Sequence, residues 1–202
     1  MSEYKFTQDW FHWAPDLWTQ LIPALPARRS FLEIGSFEGR STVWIVENMM
    51  ENGGDIICID TWAGGEEHTN GELDGAEQHF DHNLKVLQEK YSDETGVHRV
   101  VWKEKGLSHR KLAELHTDGY ATQFDFIYVD GSHIAKDVLT DACMAWPLLK
   151  PKGIMVFDDY LWGEPRDILH RPKPAVDAFT NLFAEELNIV HVGYQLVVQK
   201  KG

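Results

Sequence analysis

The stretch that most limits what this chain can fold into lies between residues 30 and 60. Ser30–Ile34 (SFLEI) is a short apolar run closed by Gly35, the pattern of a buried strand. A helix is expected through Ser41–Met50. Asp55–Asp60 (DIICID) reads as a second buried strand, entered through the turn signal Asn52-Gly53-Gly54. Two strands joined through one helix must run parallel, since only a crossover connection returns the chain to the same end of a sheet.

The rest of the chain repeats the alternation. Residues 61–75, rich in Gly, Glu, Thr and Asn, read as a long loop, and a helix is expected from Gly75 to Tyr91. Val97–Trp102 reads as a strand, Lys111–His116 as part of a helix, Phe124–Asp130 (FDFIYVD) as a strand, Ala135–Trp146 as a helix and Ile154–Asp158 as a fifth strand. A polar, proline-containing loop spans Leu161–Lys173. In Ala175–Leu187 apolar residues recur at helical spacing, at Ala175, Ala178, Phe179, Leu182 and Phe183. Ile189–Val192 and Tyr194–Gln199 read as two strands joined by a tight turn at Gly193, hence an antiparallel hairpin. The expected fold class is α/β: a doubly wound, mostly parallel, seven-stranded sheet with a C-terminal antiparallel hairpin.

The 202 residues suit one domain, divided here into an N-terminal helical extension (1–29) and the sheet-bearing domain (30–202). In the extension, Trp10, Trp13 and Trp18 stand near helical spacing, with a break suggested at Pro15-Asp16. This segment reads as a helix packing on the sheet or on a partner copy, which leaves a homodimer open. A lid over a ligand is the alternative.

Cys58 and Cys143 sit in apolar stretches, so a reducing compartment is expected rather than a disulfide framework. The opening MSEYKFTQDW has no basic stretch leading into an apolar run, and no apolar run approaches the length of a membrane span. A cytoplasmic, soluble protein without a membrane partner is expected. The net charge of -13, unrelieved by any Lys/Arg-rich run, argues against a nucleic-acid substrate.

The chemistry begins at Glu33-Ile34-Gly35-Ser36-Phe37-Glu38-Gly39-Arg40-Ser41, which leaves a buried strand and opens a helix. Gly35 and Gly39 let the backbone turn sharply and approach a ligand, and free N–H groups at the helix start face it. The spacing is not the G-x-G-x-x-G of dinucleotide binders, which disfavours NAD. Asp60 ends the adjacent strand, where a carboxylate can accept hydrogen bonds from ribose hydroxyls. Packing glycines and a capping aspartate are the plain structural alternatives.

Taken in this order, Glu33-x-Gly35-x-x-x-Gly39 resembles the first motif of class I S-adenosylmethionine-dependent methyltransferases, and Asp60 resembles their ribose-binding acid. Val129-Asp130-Gly131-Ser132-His133 and the run Leu148–Tyr160 resemble a subgroup of small metal-dependent O-methyltransferases that includes the macrolide-sugar enzymes. The resemblance covers about residues 30 to 199 and implies a Rossmann-like fold. Lys152 departs from it, standing where a first glycine is usual.

The resemblance implies that Glu33, Gly35 and Gly39 hold the methionine part of S-adenosylmethionine, with Ser36 and Ser41 of the same loop also counted as cofactor-binding. It places the ribose on Asp60, and adenine beside Trp62 and the Gly106-Leu107-Ser108 turn. Asp130, which ends the fourth strand beside the proposed cofactor, is counted with these residues as well.

Asp130, Asp158 and Asp159 fall at the ends of the fourth and fifth strands, on one rim of a parallel sheet. Carboxylates converging there repel unless protonated, hydrogen-bonded or neutralised by a cation. A hard divalent ion, most naturally Mg²⁺, answers that problem. The resemblance makes these three aspartates its ligands and His133 the catalytic base. The implied reaction is methylation of a hydroxyl on a small molecule such as a sugar, with phenolic acceptors open. A non-catalytic cofactor-binding module and a metal-independent N-methyltransferase are the alternatives. A zinc site from His68, His79 and His82 lacks cysteine support and is disfavoured.

Overall fold

The computed structural model describes residues 3–65, 71, 73–91, 97–163 and 167–202. Its elements in chain order are α1 (Ala14–Leu21), β1 (Ser30–Ile34), α2 (Arg40–Asn48), β2 (Gly54–Asp60), α3 (Ala76–Tyr91), β3 (Arg99–Lys105) and α4 (Ser108–Thr117). There follow β4 (Phe124–Val129), α5 (Ala135–Ala145), β5 (Leu149–Phe157), α6 (Pro172–Leu182), β6 (Leu187–Val192) and β7 (Leu196–Lys200).

The seven strands form one sheet in the order β3-β2-β1-β4-β5-β7-β6. β1 pairs in parallel with both β2 and β4, β2 with β3, and β4 with β5, while β7 runs antiparallel to β5 and β6. The expected doubly wound sheet with a C-terminal hairpin is therefore present. Strand order reverses between β1 and β4, and in open α/β sheets ligands bind outside the carboxyl ends of the strands at that switch point.

Strand alternation sends buried side chains to two cores. Leu32, Ile34, Ile57, Ile59, Ile127 and Val129 meet Leu112, Val138 and Phe179 of α4, α5 and α6 on one face. Phe31, Ile56, Cys58, Phe126 and Tyr128 meet Trp18, Ile45 and Phe80 of α1, α2 and α3 on the other. Phe124 and Phe126, two residues apart, nevertheless belong to different cores, because the register of β4 against β5 shifts between them.

Several boundaries move for identifiable reasons. β3 and α4 continue to Lys105 and start at Ser108, so the turn at Gly106-Leu107 is tighter than expected. α6 starts at Pro172, a residue pre-set for the first turn, and ends at Leu182, five residues short of the expected end; β6 then begins at Leu187. β5 begins at Leu149 and carries Lys152 at φ +65°, a conformation that favours glycine. The departure at Lys152 thus occupies a backbone position that a glycine would fill without strain.

α1 starts at the expected break, with Pro15 in its first turn. Trp18 is completely buried against Phe126 and Tyr128, at ring separations of 5.0 and 4.8 Å. Residues before α1 are tied down by polar contacts. Glu38 accepts from the Thr7 N–H and hydroxyl at 2.6 and 2.8 Å, and Arg40 Nε donates to the Gln8 carbonyl at 3.1 Å. Both cysteines are free thiols; Cys58 is buried and Cys143 only half-buried. Among the described residues no helix is long and apolar enough to cross a membrane.

Candidate active site

The carboxyl ends of β1, β2, β4 and β5 open into a cavity of about 1190 Å³. Its floor is the glycine loop. Gly35 has φ +86°, and a Cβ there would lie 1.9 Å from the carbonyl oxygen of Asp130, so only glycine lets the loop lie against the end of β4. Gly39, at φ +77°, starts α2 with its Cα against the Phe80 ring.

Asp60 fastens this loop. One of its carboxylate oxygens accepts from the N–H groups of Ser36 and Phe37, both at 2.8 Å; the other accepts from the Trp62 N–H at 2.6 Å. Trp62 Nε1 closes the ring by donating to the Phe37 carbonyl at 2.7 Å. Phe37 and Trp62 both have positive φ, at +47° and +51°. Such conformations cost about 1–3 kcal/mol each and persist where surrounding bonds over-determine them.

Ser36, Ser41, Trp62, Gly106 and Ser108 line the cavity together with Gly35, Asp60 and Asp130. Two residues expected at the cofactor do not. Gly39 faces Phe80, and Glu33 is fully buried behind the loop, bonded by the Thr42 hydroxyl, because an inward-facing β1 position puts its side chain between sheet and α2. Burial raises the Glu33 carboxyl above the ordinary range.

The acid cluster lines the same cavity. His133 Nε2 lies 2.7 Å from Asp159 Oδ2, and the Tyr194 hydroxyl donates to Asp159 Oδ1 at 2.5 Å. Asp159 itself has φ +53°, which swings its carboxylate out of line with β5 toward the cavity. The Tyr128 hydroxyl, two residues before Asp130 on the same strand face, contacts Asp130 at 2.9 Å and also Asp158. Gln195 Nε2 donates to Asp158 at 3.2 Å, and Trp18 Nε1 holds the Gln195 amide from behind at 2.8 Å.

Asp130, His133 and Asp159 each offer a ligand atom within 4.8 Å of the others. Of the expected trio, Asp130 and Asp159 fall in this group together with His133, while the Asp158 carboxylate accepts from Tyr128 and Gln195. Burial, reinforced by mutual repulsion, raises the Asp130 carboxyl well above its ordinary range and that of Asp158 to about 6. A cation would relieve that repulsion, so the donor set fits a hard divalent ion.

Tyr128, Tyr194 and Gln195 were not singled out in the sequence. Tyr128 was within reach, since it stands two residues before Asp130 on a strand; the other two come from the hairpin, and only tertiary structure brings them here. His79 and His82 do not converge on a metal. Nδ1 of His79 bonds Glu38 at 2.7 Å and Nε2 of His82 bonds the Glu3 carbonyl at 2.9 Å; His68 lies outside the described residues, as do 66–70 and 72 of the 61–75 loop.

A family model described as a methyltransferase domain matches residues 32–160. No curated protein sequence matches the chain. Among solved structures, an O-methyltransferase from Bacillus cereus in complex with S-adenosylhomocysteine is 18% identical with a TM-score of 0.67, over 97% of this chain and 84% of its own. The O-methyltransferase TomG from Streptomyces achromogenes, involved in tomaymycin synthesis and solved with S-adenosylmethionine, is 20% identical with a TM-score of 0.63, over 92% and 80%. A TDP-rhamnose 3'-O-methyltransferase of calicheamicin biosynthesis is 16% identical with a TM-score of 0.55, over 92% and 77%. With its family model spanning most of the sheet and both walls of the cavity, the chain belongs to the methyltransferase-domain family, enzymes of the class I S-adenosylmethionine-dependent type.

Proposed function

We propose that this methyltransferase transfers the methyl group of S-adenosylmethionine to a hydroxyl of a small molecule, with a divalent ion, Mg²⁺ most naturally, beside the reacting oxygen. The observation that carries the proposal is the His133–Asp159 pair at 2.7 Å, next to Asp130 in the cavity that the loop fastened by Asp60 also lines. A cofactor-binding module would have no use for that pair.

In this reading Gly35, Ser36 and Ser41 meet the methionine part, with Gly39 and Glu33 shaping the loop from behind. A carboxylate offers about four acceptor positions, and Asp60 uses three on backbone N–H groups, which leaves one for a ribose hydroxyl. Trp62, Gly106 and Ser108 border the adenine. Asp130 and Asp159 would hold the ion, with Asp158 close behind, and such an ion would lower the pKa of a hydroxyl beside it, leaving His133 to act as the base.

The chain's own task is alignment and proton transfer. A hydroxyl beside His133 would give its proton to the imidazole as its oxygen attacks the methyl carbon. S-adenosylmethionine, when bound, would supply the methyl group on a sulfonium, which departs as a neutral thioether as the new oxygen–carbon bond forms. Asp159 steadies the imidazolium so formed. The sulfonium is reactive already, so rate depends on holding oxygen, carbon and sulfur in line.

Calorimetric titration of S-adenosylmethionine, with and without Mg²⁺ and on Asp60→Ala, tests this reading. Binding that Asp60→Ala weakens supports the donor site, and turnover abolished by a chelator supports the ion. Turnover that ignores a chelator points instead to metal-independent transfer, and a folded protein that binds no donor overturns the reading.

A further inference from the structure

Asp141 is a buried acid that the mechanism above does not use. It lies on α5, only 2% exposed, yet it borders the cavity. Its Oδ2 packs on the Gly131 backbone, 3.6 Å from where a Cβ at that glycine would stand. Its hydrogen-bond partner is the side chain of Ser108, the first residue of α4. The charged group that acts on it is Asp137, one turn earlier on α5, and that charge has the same sign. Among the described residues the cavity wall has no lysine, and its one arginine, Arg40, is engaged by Asp9 at 3.3 Å and by the Gln8 carbonyl. Burial raises the Asp141 carboxyl to about 7. An ionised carboxylate accepts about four hydrogen bonds, so an acid held out of water with one hydroxyl partner is short of donors.

Its place in the fold limits which donor can reach it. The Gly106 N–H donates to the Asp60 carbonyl at 2.9 Å, which ties the Gly106-Leu107-Ser108 turn to the strand end that carries Asp60. Asp141 stands behind the far end of that turn, at Ser108. A nucleoside with its sugar at Asp60 and its base along the turn brings one base edge to Asp141. On the adenine of a nucleoside the 6-amino group is the sole hydrogen-bond donor, every other polar ring atom being an acceptor.

Resting on the methyltransferase reading above, we infer that Asp141 reads the base of the methyl donor: its carboxylate accepts from the 6-amino group of adenine and disfavours a 6-oxo purine. A 6-oxo group would set lone pair against lone pair in a site with little water, so the acid selects by what it fails to pair as well as by what it pairs. Asp141 is thus a specificity-determining residue, remote from the reacting atoms. Asparagine at this position would serve both bases, because an amide carries a donor and an acceptor and can turn either toward the ring.

The test is calorimetry on the full chain at about pH 8, where the acid is ionised, with S-adenosylhomocysteine and S-inosylhomocysteine, which differ in the purine alone. Wild type is expected to prefer the adenine ligand on the order of 10- to 100-fold, the range for a hydrogen bond to a charged group. Asp141→Asn, which keeps the shape of the side chain, is expected to cut that preference about tenfold. An Asp141 that only supports the wall would move both affinities together, so a preference left intact in Asp141→Asn overturns the inference. A wild type that holds the two ligands equally overturns it as well, and that comparison needs no variant. A folded chain that binds neither ligand would instead remove the donor reading beneath it.

Discussion

The absent side chain of Gly35 is what brings the glycine loop against Asp130: a Cβ would stand 1.9 Å from the Asp130 carbonyl oxygen. That carbonyl is backbone at the end of a central strand and cannot step aside cheaply. Gly35→Ala combines this clash with a φ of +86°, which alone disfavours an L side chain by about 1–2 kcal/mol. The variant is expected to lose about 3 kcal/mol or more of stability and, where it still folds, its affinity for S-adenosylmethionine. Chemical denaturation and calorimetry check both; native stability with native binding would contradict the placement of the loop.

Lys152 gives the opposite prediction. Its φ of +65° is strained for lysine, and its side chain lies at the exposed end of β5. Glycine would relieve the strain but add freedom to the unfolded chain, so the two effects partly cancel. Lys152→Gly is expected to stabilise by about 0.5–1 kcal/mol, which raises Tm by a few degrees in a chain of this size. Unchanged activity should accompany it, because the position is remote from the cavity. A lower Tm would show that the lysine side chain makes contacts that outweigh the backbone.

The same two residues show where the sequence was legible. A glycine that follows a buried strand and opens a helix announces a local backbone demand, and Gly35 answered it; Lys152 stood out because a glycine was expected there. Asp60, Asp130 and Asp159 were legible because β-strand ends in a parallel sheet share one rim. Their partners were not. Asp60 gives three acceptor positions to its own loops, and the Asp158 carboxylate is met by Gln195, some 37 positions along the chain, which reaches it from the hairpin. Such pairings depend on how β7 lies beside β5, which no local pattern encodes. The tryptophans of the extension were read as packing or as a lid, and the structure divides them: Trp18 fills the core, while Trp10 and Trp13 line the cavity.

His133 is held by Asp159 and faces Trp162, so its removal should act on the chemical step rather than on donor binding. His133→Ala is expected to lower kcat by about 10²–10⁴-fold, the range for loss of a general base, with Kd for S-adenosylmethionine unchanged. Steady-state kinetics alongside calorimetry separates the two effects. If the variant lost donor affinity and kcat in equal measure, His133 would be a structural member of the wall.

Asp141 supplies a prediction in pH. This α5 residue is buried at the cavity wall between Ser108 and the Gly131 backbone, and no cation pairs with it among the described residues. Burial is the main cause that raises its carboxyl from 3.8 to about 7; the Ser108 hydroxyl opposes the shift and Asp137 adds to it. The folded state therefore holds this proton more tightly than the unfolded chain does. Its contribution to stability is fully present below about pH 4 and is lost as pH rises toward 7, on the order of 4 kcal/mol across that window. Asp141→Asn cannot ionise and lacks that dependence. The stability difference between variant and wild type should therefore grow in the variant's favour from pH 5 to pH 8, and level off above. Urea denaturation at several pH values measures it. Two parallel curves would mean that Asp141 is ionised throughout and that its charge is balanced by some group beyond Ser108.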